Sequence, residues 1–154
     1  MVRLIATFRI DRSRTGTIRA VSSDGTTLGQ WPCLGKSDNA KAIAMKNHNR
    51  DPLKQFGDTP CGTWKVSIGK KQQDESTYGC LPPFTLWPTD GDALLSHSPI
   101  NRRSGIWIHS GDLTKSSGLR VTYGCIRVHE STMRALHALA KTYGGIESLE
   151  TREE

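Results

Sequence analysis

The stretch Gly62-Thr63-Trp64-Lys65-Val66-Ser67-Ile68-Gly69 constrains the fold most. Side chains of an extended chain point alternately to its two faces. Trp64, Val66 and Ile68 therefore share one face of a predicted strand, which glycines bound at both ends. Other segments carry the same signal. Leu4 to Ile10, Thr17 to Val21 and Leu28 to Leu34 read as three strands. Ser23-Asp24-Gly25 is a turn between the second and third, so the chain opens as a β-meander. Phe84 to Trp87, Gly105 to His109 and Cys125 to Val128 are further short strands. With 15 Gly and 7 Pro against 35% hydrophobic residues, the chain suits many short strands and turns better than a helical bundle.

Two segments read as helical. Asn39 to Asn47 predicts a short helix with Ala40, Ile43 and Ala44 on its apolar face. Ser131 reads as the N-cap of a longer helix carrying Met133, Leu136, Leu139 and Ala140 at helical spacing, which Gly144-Gly145 ends. The expected fold is mainly β: a mixed β-sandwich or partly open barrel with one main C-terminal helix near residues 131–143. A length of 154 residues fits one domain, set at residues 1–149. Residues 150–154 are charged and read as a disordered tail. Asn47 to Pro60 reads as a loop. Lys70 to Pro83 is a long polar segment that reads equally as a lid over a cleft or as a plain surface loop.

The net charge is +6, yet the basic residues are scattered: Arg3, Arg9, Arg12, Arg14, Lys36, Lys70, Lys71, Arg102 and Arg103. They form no basic arm and no legible nucleic-acid module, so no nucleic-acid partner is expected. An anionic substrate and an ordinary solvated surface explain the charge equally well. No run approaches ~20 apolar residues, so no membrane span is expected. Met1 to Arg14 lacks the continuous apolar core of a secretory leader, which leaves the export route open.

Four cysteines, Cys33, Cys61, Cys80 and Cys125, form no CxxC pair, which argues against a zinc ribbon or a thioredoxin-like site. Cys61 and Cys80 are candidates for a disulfide in an oxidising compartment, and Cys33 for a buried free thiol. His48, His97, His129 and His137 have no evident partner, so no metal site is expected.

The chemistry gathers in two late loops, Ile106-Trp107-Ile108-His109-Ser110-Gly111 and Thr122-Tyr123-Gly124-Cys125-Ile126-Arg127-Val128. Catalysis by a thiol needs a thiolate, a base and donors for an oxyanion. Cys125 follows a glycine that permits a sharp turn, which makes the Gly124 and Cys125 amides candidate oxyanion donors. His109 titrates near neutrality and is the candidate base. Their ion pair would lower the thiol pKa. The imidazole then needs an orienting acceptor. The Ser110-Gly111 backbone, the Ser110 hydroxyl and Asp112 all remain open for that role. Arg127 stands two residues beyond Cys125, on the same strand face, where a guanidinium can hold a substrate carboxylate. Taken singly, Cys125 and His109 read as core residues and Arg127 as a salt-bridge residue. Trp64 and Trp107 read as core.

These loops resemble the L,D-transpeptidase (YkuD-like) catalytic domain. That family carries a histidine, a spacer, and then Ser/Thr-His-Gly-Cys followed by an aliphatic residue and Arg or Asn. Here twelve residues, Ser110 to Val121, separate His109 from Thr122. Thr59-Pro60-Cys61-Gly62 is similar to the Thr-Pro-x-Gly that leads into a core strand of the family. The resemblance covers roughly Leu4 to Leu139. It departs at Tyr123, where the family has His. A tyrosine there lines the pocket but is no near-neutral base.

The resemblance implies acyl transfer on peptidoglycan stem tetrapeptides through a thioacyl-enzyme. Cross-linking, D-amino-acid exchange and L,D-carboxypeptidase trimming are the outcomes. Cys125, His109 and Gly124 would be catalytic, and Arg127, Ser110 and Tyr123 would bind substrate. No cofactor is implied. Such a protein is expected to be a monomer acting in the periplasm or cell wall, with an export machinery or an immunity protein as further partners. Two alternatives stand beside this reading: an antibacterial effector using the same chemistry on a competitor's wall, and a weakly active wall-binding module. A papain-like thiol hydrolase would instead cleave ordinary L-L peptides.

Overall fold

The computed structural model describes residues 1–154. Its elements are β1 (Val2–Phe8), β2 (Gly16–Val21), β3 (Thr27–Cys33), α1 (Asn39–Ala44), β4 (Gly62–Ile68), α2 (Glu75–Tyr78), β5 (Phe84–Asp90), α3 (Gly91–Ser96), β6 (Trp107–His109), β7 (Ile126–Arg127), α4 (Glu130–Tyr143) and β8 (Ile146–Glu153). The strands form one sheet in the order β3-β2-β1-β8-β4-β5-β6-β7. Its outer strands meet: Leu34, just past β3, and Arg127 of β7 exchange two backbone hydrogen bonds of 2.9 Å. The sheet is thereby nearly closed into a barrel, in line with the mainly β expectation.

The opening meander forms as its alternation requires. β1, β2 and β3 pair antiparallel in order, and Val2, Leu4, Ala6 and Phe8 of β1 are buried while Arg3 is exposed. They join Trp64, Phe84, Ile108, Ile126 and Leu149 in one core. Burial of a large apolar side chain contributes about 1.5–3 kcal/mol. Helix α4 adds Met133, Leu136 and Ala140 from its inward face. In β4 only Trp64 is fully buried, whereas Val66 is half-buried and Ile68 is exposed. β4 pairs with β8 only from Gly62 to Lys65, so its last three residues run beyond that neighbour.

Residues 150–153 are no disordered tail. They continue β8, which lies parallel to β1 and antiparallel to β4 in the middle of the sheet. Thr151 is buried and accepts the Trp64 indole N–H at 2.9 Å, and Arg12 pairs with Glu153 at 2.6 Å. Glu147, Glu150 and Glu153 mask this strand in the sequence, because their side chains point outward while backbone pairing on two sides holds the chain.

Smaller differences concern helices and thiols. Helix α4 starts at Glu130 with His129 in the cap position, and Gly144 ends it in the left-handed region at φ 77°. Ser131 is therefore not its cap. In α1 the buried residue is Ala42, while Ala40, Ile43 and Ala44 are exposed. Asp38 caps that helix by accepting the Lys41 N–H at 2.7 Å. Cys33 is buried, and all four cysteines are free. The Cys61 sulfur lies 3.8 Å from Arg12, whereas the Cys80 thiol donates to Glu130 at 2.6 Å, so the two are not paired. No helix is long and apolar enough to cross a membrane.

Candidate active site

β6 and β7 are parallel neighbours, with Ile108 opposite Ile126 and His109 opposite Arg127. Cys125 immediately precedes β7 and His109 ends β6, so the pairing brings both to one cavity of about 680 Å³. Tyr123, Gly124 and Arg127 line the same cavity, as do Phe56, Tyr78, Arg103 and Arg120.

His109 is buried, and its Nδ1 lies 2.7 Å from the Ser110 carbonyl oxygen. A carbonyl only accepts, so Nδ1 carries the proton and Nε2 is left as the basic nitrogen. Arg127 Nη1 donates to the same carbonyl at 3.0 Å. Of the acceptors left open by the sequence, the backbone carbonyl is therefore the one in contact. The Ser110 hydroxyl donates instead to Glu130 and does not line the cavity. Ser110 thus meets the site through its backbone, which departs from the expectation of a substrate-binding side chain. Tyr78, at the end of α2, stands edge-on to His109 with centroids 5.0 Å apart and lies 5.6 Å from Trp107. The polar 70–83 segment is thereby packed over the imidazole, and Ser76 O accepts the Asp112 N–H at 2.7 Å.

The turn before Cys125 is held from several sides. Gly124 has φ 121°, which favours glycine, and a Cβ there would lie 2.0 Å from Arg103 Nη2 and 2.7 Å from Gly57 O. The Gly124 N–H donates to Thr122 Oγ1 at 3.0 Å, and that hydroxyl donates to Cys125 O at 2.9 Å. Gly124's amide is therefore already engaged, contrary to its expected use as an oxyanion donor. The Cys125 N–H has no acceptor within the protein. Thr59 Oγ1, fully buried, donates to Gly124 O at 2.7 Å. That contact supplies a physical reason for the Thr-Pro-x-Gly match: its threonine braces the turn.

The L,D-transpeptidase catalytic domain, the YkuD family, matches residues 8–144. The chain belongs to this family. No curated protein matches it. The family match spans the cavity and every residue lining it. The protein is thus of a cell-wall enzyme family of L,D-transpeptidase type.

In this L,D-transpeptidase domain, burial dominates the electrostatics of the pair. It pushes the His109 pKa down to about 4, with Arg127 acting in the same direction and the Ser110 carbonyl opposing it. Burial also raises the Cys125 pKa, against the Trp107 N–H, Arg103 and Arg127, which favour the thiolate. The Trp107 N–H reaches Cys125 Sγ at 3.3 Å, and Sγ lies 3.5 Å from Gly105 O. At neutral pH the pair rests as thiol and neutral imidazole. The expected resting ion pair with a lowered thiol pKa is therefore not what this environment favours.

Tyr123 is 61% exposed at the cavity rim, edge-on to Phe56 at 6.1 Å, with Lys41 Nζ 5.4 Å from its ring centre. Arg103, Thr59 and Tyr78 escape a reading from sequence alone, because their partners are backbone atoms or rings far away in the chain. Thr122 bonds within its own turn, to Gly124 and Cys125. Thr59 at least sits within the Thr-Pro-x-Gly match, which singles out its segment.

Proposed function

We propose that the protein is a cysteine-dependent peptidoglycan L,D-transpeptidase that works on stem tetrapeptides through a thioacyl-enzyme. The observation that carries this reading is the parallel β6–β7 pairing, which brings Cys125 and His109 to the lining of one cavity. Neutral His109 takes the Cys125 proton as Sγ attacks the carbonyl of the third, L-configured residue. The Cys125 N–H is the donor for the oxyanion. The terminal D-residue leaves with the proton held by His109, and an amine or water then resolves the thioester.

Arg127 serves a substrate carboxylate in this reading. Its Nε is buried without a hydrogen-bond partner and stands unsatisfied beside the cavity, where an incoming anion completes it. The enzyme acts where its substrate is, in the periplasm or cell wall, as a monomer.

Mass spectrometry of purified tetrapeptide muropeptides tests the proposal. Cross-linked, exchanged or trimmed products are expected from the wild type and none from Cys125→Ala. A folded wild type that forms no product, and no carbapenem adduct at Cys125, would leave only the wall-binding alternative. The effector alternative predicts that periplasmic expression of the wild type is toxic while Cys125→Ala is tolerated.

A further inference from the structure

Arg103 is 3% exposed and forms no ion pair. Its guanidinium donates only to backbone carbonyls: Nη1 to Pro52 O at 2.5 Å and Asp58 O at 2.7 Å, and Nη2 to Gly57 O at 2.6 Å. Its own backbone is tied as well, N–H to Ser96 O and carbonyl to His97 Nδ1, both at 2.8 Å. One residue thus joins the end of α3 to the 52–58 loop, with its Nη2 lying against Gly124 of the turn before Cys125. The nearest carboxylate of that loop, on Asp58, is already taken by Arg50 at 3.1 Å and by the Ser37 N–H at 2.8 Å. A buried cation with no carboxylate in contact is costly, because carbonyl dipoles replace lost water only in part. Cys125 favours the charged form of Arg103 most, ahead of Asp58 and Asp51.

We propose that Arg103 is a positioning residue of the thiol chemistry. It holds the Gly124–Cys125 turn against the 52–58 loop, and the Cys125 thiolate is its missing counter-charge. Gly124 is required beside it, since a Cβ there would lie 2.0 Å from Nη2. Cys125 and Arg103 favour each other's charged form, and Arg103 acts on the thiol more strongly than Arg127 does. The same cavity is also lined by Asp38, Tyr78, His109, Arg120 and Tyr123, of which His109 is neutral above about pH 4. The positive charges that favour the Cys125 thiolate are those of Arg103 and Arg127. As Sγ loses its proton to His109, the charge that appears on sulfur is balanced by a guanidinium already in place, with no reorganisation. Arg127 has its own task at the Ser110 carbonyl beside the imidazole, so the two arginines divide the work between base and nucleophile.

The inference rests on Cys125 being the reactive thiol but not on the identity of its substrate. The test therefore reads the thiol itself. Iodoacetamide alkylation of Cys125 in the full chain is followed across pH by peptide mass spectrometry, which separates it from Cys33, Cys61 and Cys80. Arg103→Gln should raise the alkylation midpoint by about 1 pH unit, slowing the reaction at pH 7 roughly tenfold. Arg103→Lys keeps the charge and should hold the midpoint within about 0.3 unit, although a lysine cannot span three carbonyls. An unshifted midpoint in folded Arg103→Gln overturns the proposal. If that variant does not fold, Arg103→Lys decides: a midpoint raised by about a unit with the charge still present overturns it, and a retained midpoint supports it. Loss of muropeptide turnover in the wild type would strike the proposed function and leave this midpoint shift intact.

Discussion

The two ends of the sheet are held together differently. Around β1, β2 and β8 the strands are six to eight residues long, and buried apolar side chains recur at every second position of β1. At the other end β6 has three residues and β7 two. There the backbone is braced by polar side chains: Thr59 on Gly124, Thr122 on Gly124 and Cys125, Arg103 on the 52–58 loop, and Arg127 on Ser110. The long strands supply stability through burial and shared ladders. The short ones supply a shaped backbone, because each brace fixes one carbonyl or amide rather than a surface. The residues proposed to act on substrate belong to the second kind, carried on a rigid scaffold of the first.

If this contrast holds, damage to the first end should cost stability, and damage to the second should change thiol chemistry at little cost to folding. Deleting residues 150–154 removes half of the stretch 148–151 that pairs with both β1 and β4, and with it Thr151 and Glu153. We expect a loss of about 5 kcal/mol or more in urea unfolding, or no folded protein. A deletion variant as stable as the wild type would show that the last strand is dispensable and erase the contrast.

The next effect follows pH. His109 is held neutral with a pKa of about 4, while an unfolded histidine titrates near 6.5. Between these values the unfolded chain binds the extra proton, so stability falls as pH drops from about 6.5 to 4. The contribution is about 3 kcal/mol, fully lost at and below about pH 4 and absent as a penalty above 6.5. His109→Asn should flatten that part of the urea midpoint–pH curve. In the wild type the acid limb of acylation should lie near pH 4 rather than 6.5, since Nε2 accepts a proton down to that point. A limb near 6.5 would mean that the imidazole is solvated in the working enzyme.

The smallest effect sharpens the contrast most. Thr59→Val removes the bond to Gly124 O while keeping the side-chain shape. We expect about 1–2 kcal/mol of lost stability, since a buried carbonyl is left unpaired. Cys125 alkylation at fixed pH should nonetheless slow several-fold as the turn loosens. Loss of stability with unaltered alkylation would make Thr59 a packing residue like those of β1.

Much of this was legible beforehand, and the exceptions share a cause. The meander, the strands ending on His109 and beginning after Cys125, and the Gly144 helix end follow from local alternation, spacing and backbone freedom. β8 escaped because its charged outer face hides three inward positions, Ile146, Leu149 and Thr151. The role of the Ser110 side chain stayed open in the sequence because the partner of its hydroxyl, Glu130, sits 20 residues on. The upward push on the Cys125 thiol was not legible because burial is a property of the assembled barrel, and burial outweighs the arginines there.

By itself, then, the sequence determined which residue types were available and in what order: a strand-borne histidine, a glycine-cysteine turn, and an arginine two residues further. Those depend on neighbours along the chain. Only the tertiary structure decided that His109 Nδ1 meets the Ser110 carbonyl, that burial pushes the Cys125 thiol up, and that Arg103 bonds only backbone carbonyls beside the Cys125 turn. Each of these depends on distance to a distant carbonyl and on exclusion of water, and neither quantity exists until β6, β7 and the 52–58 loop are brought together.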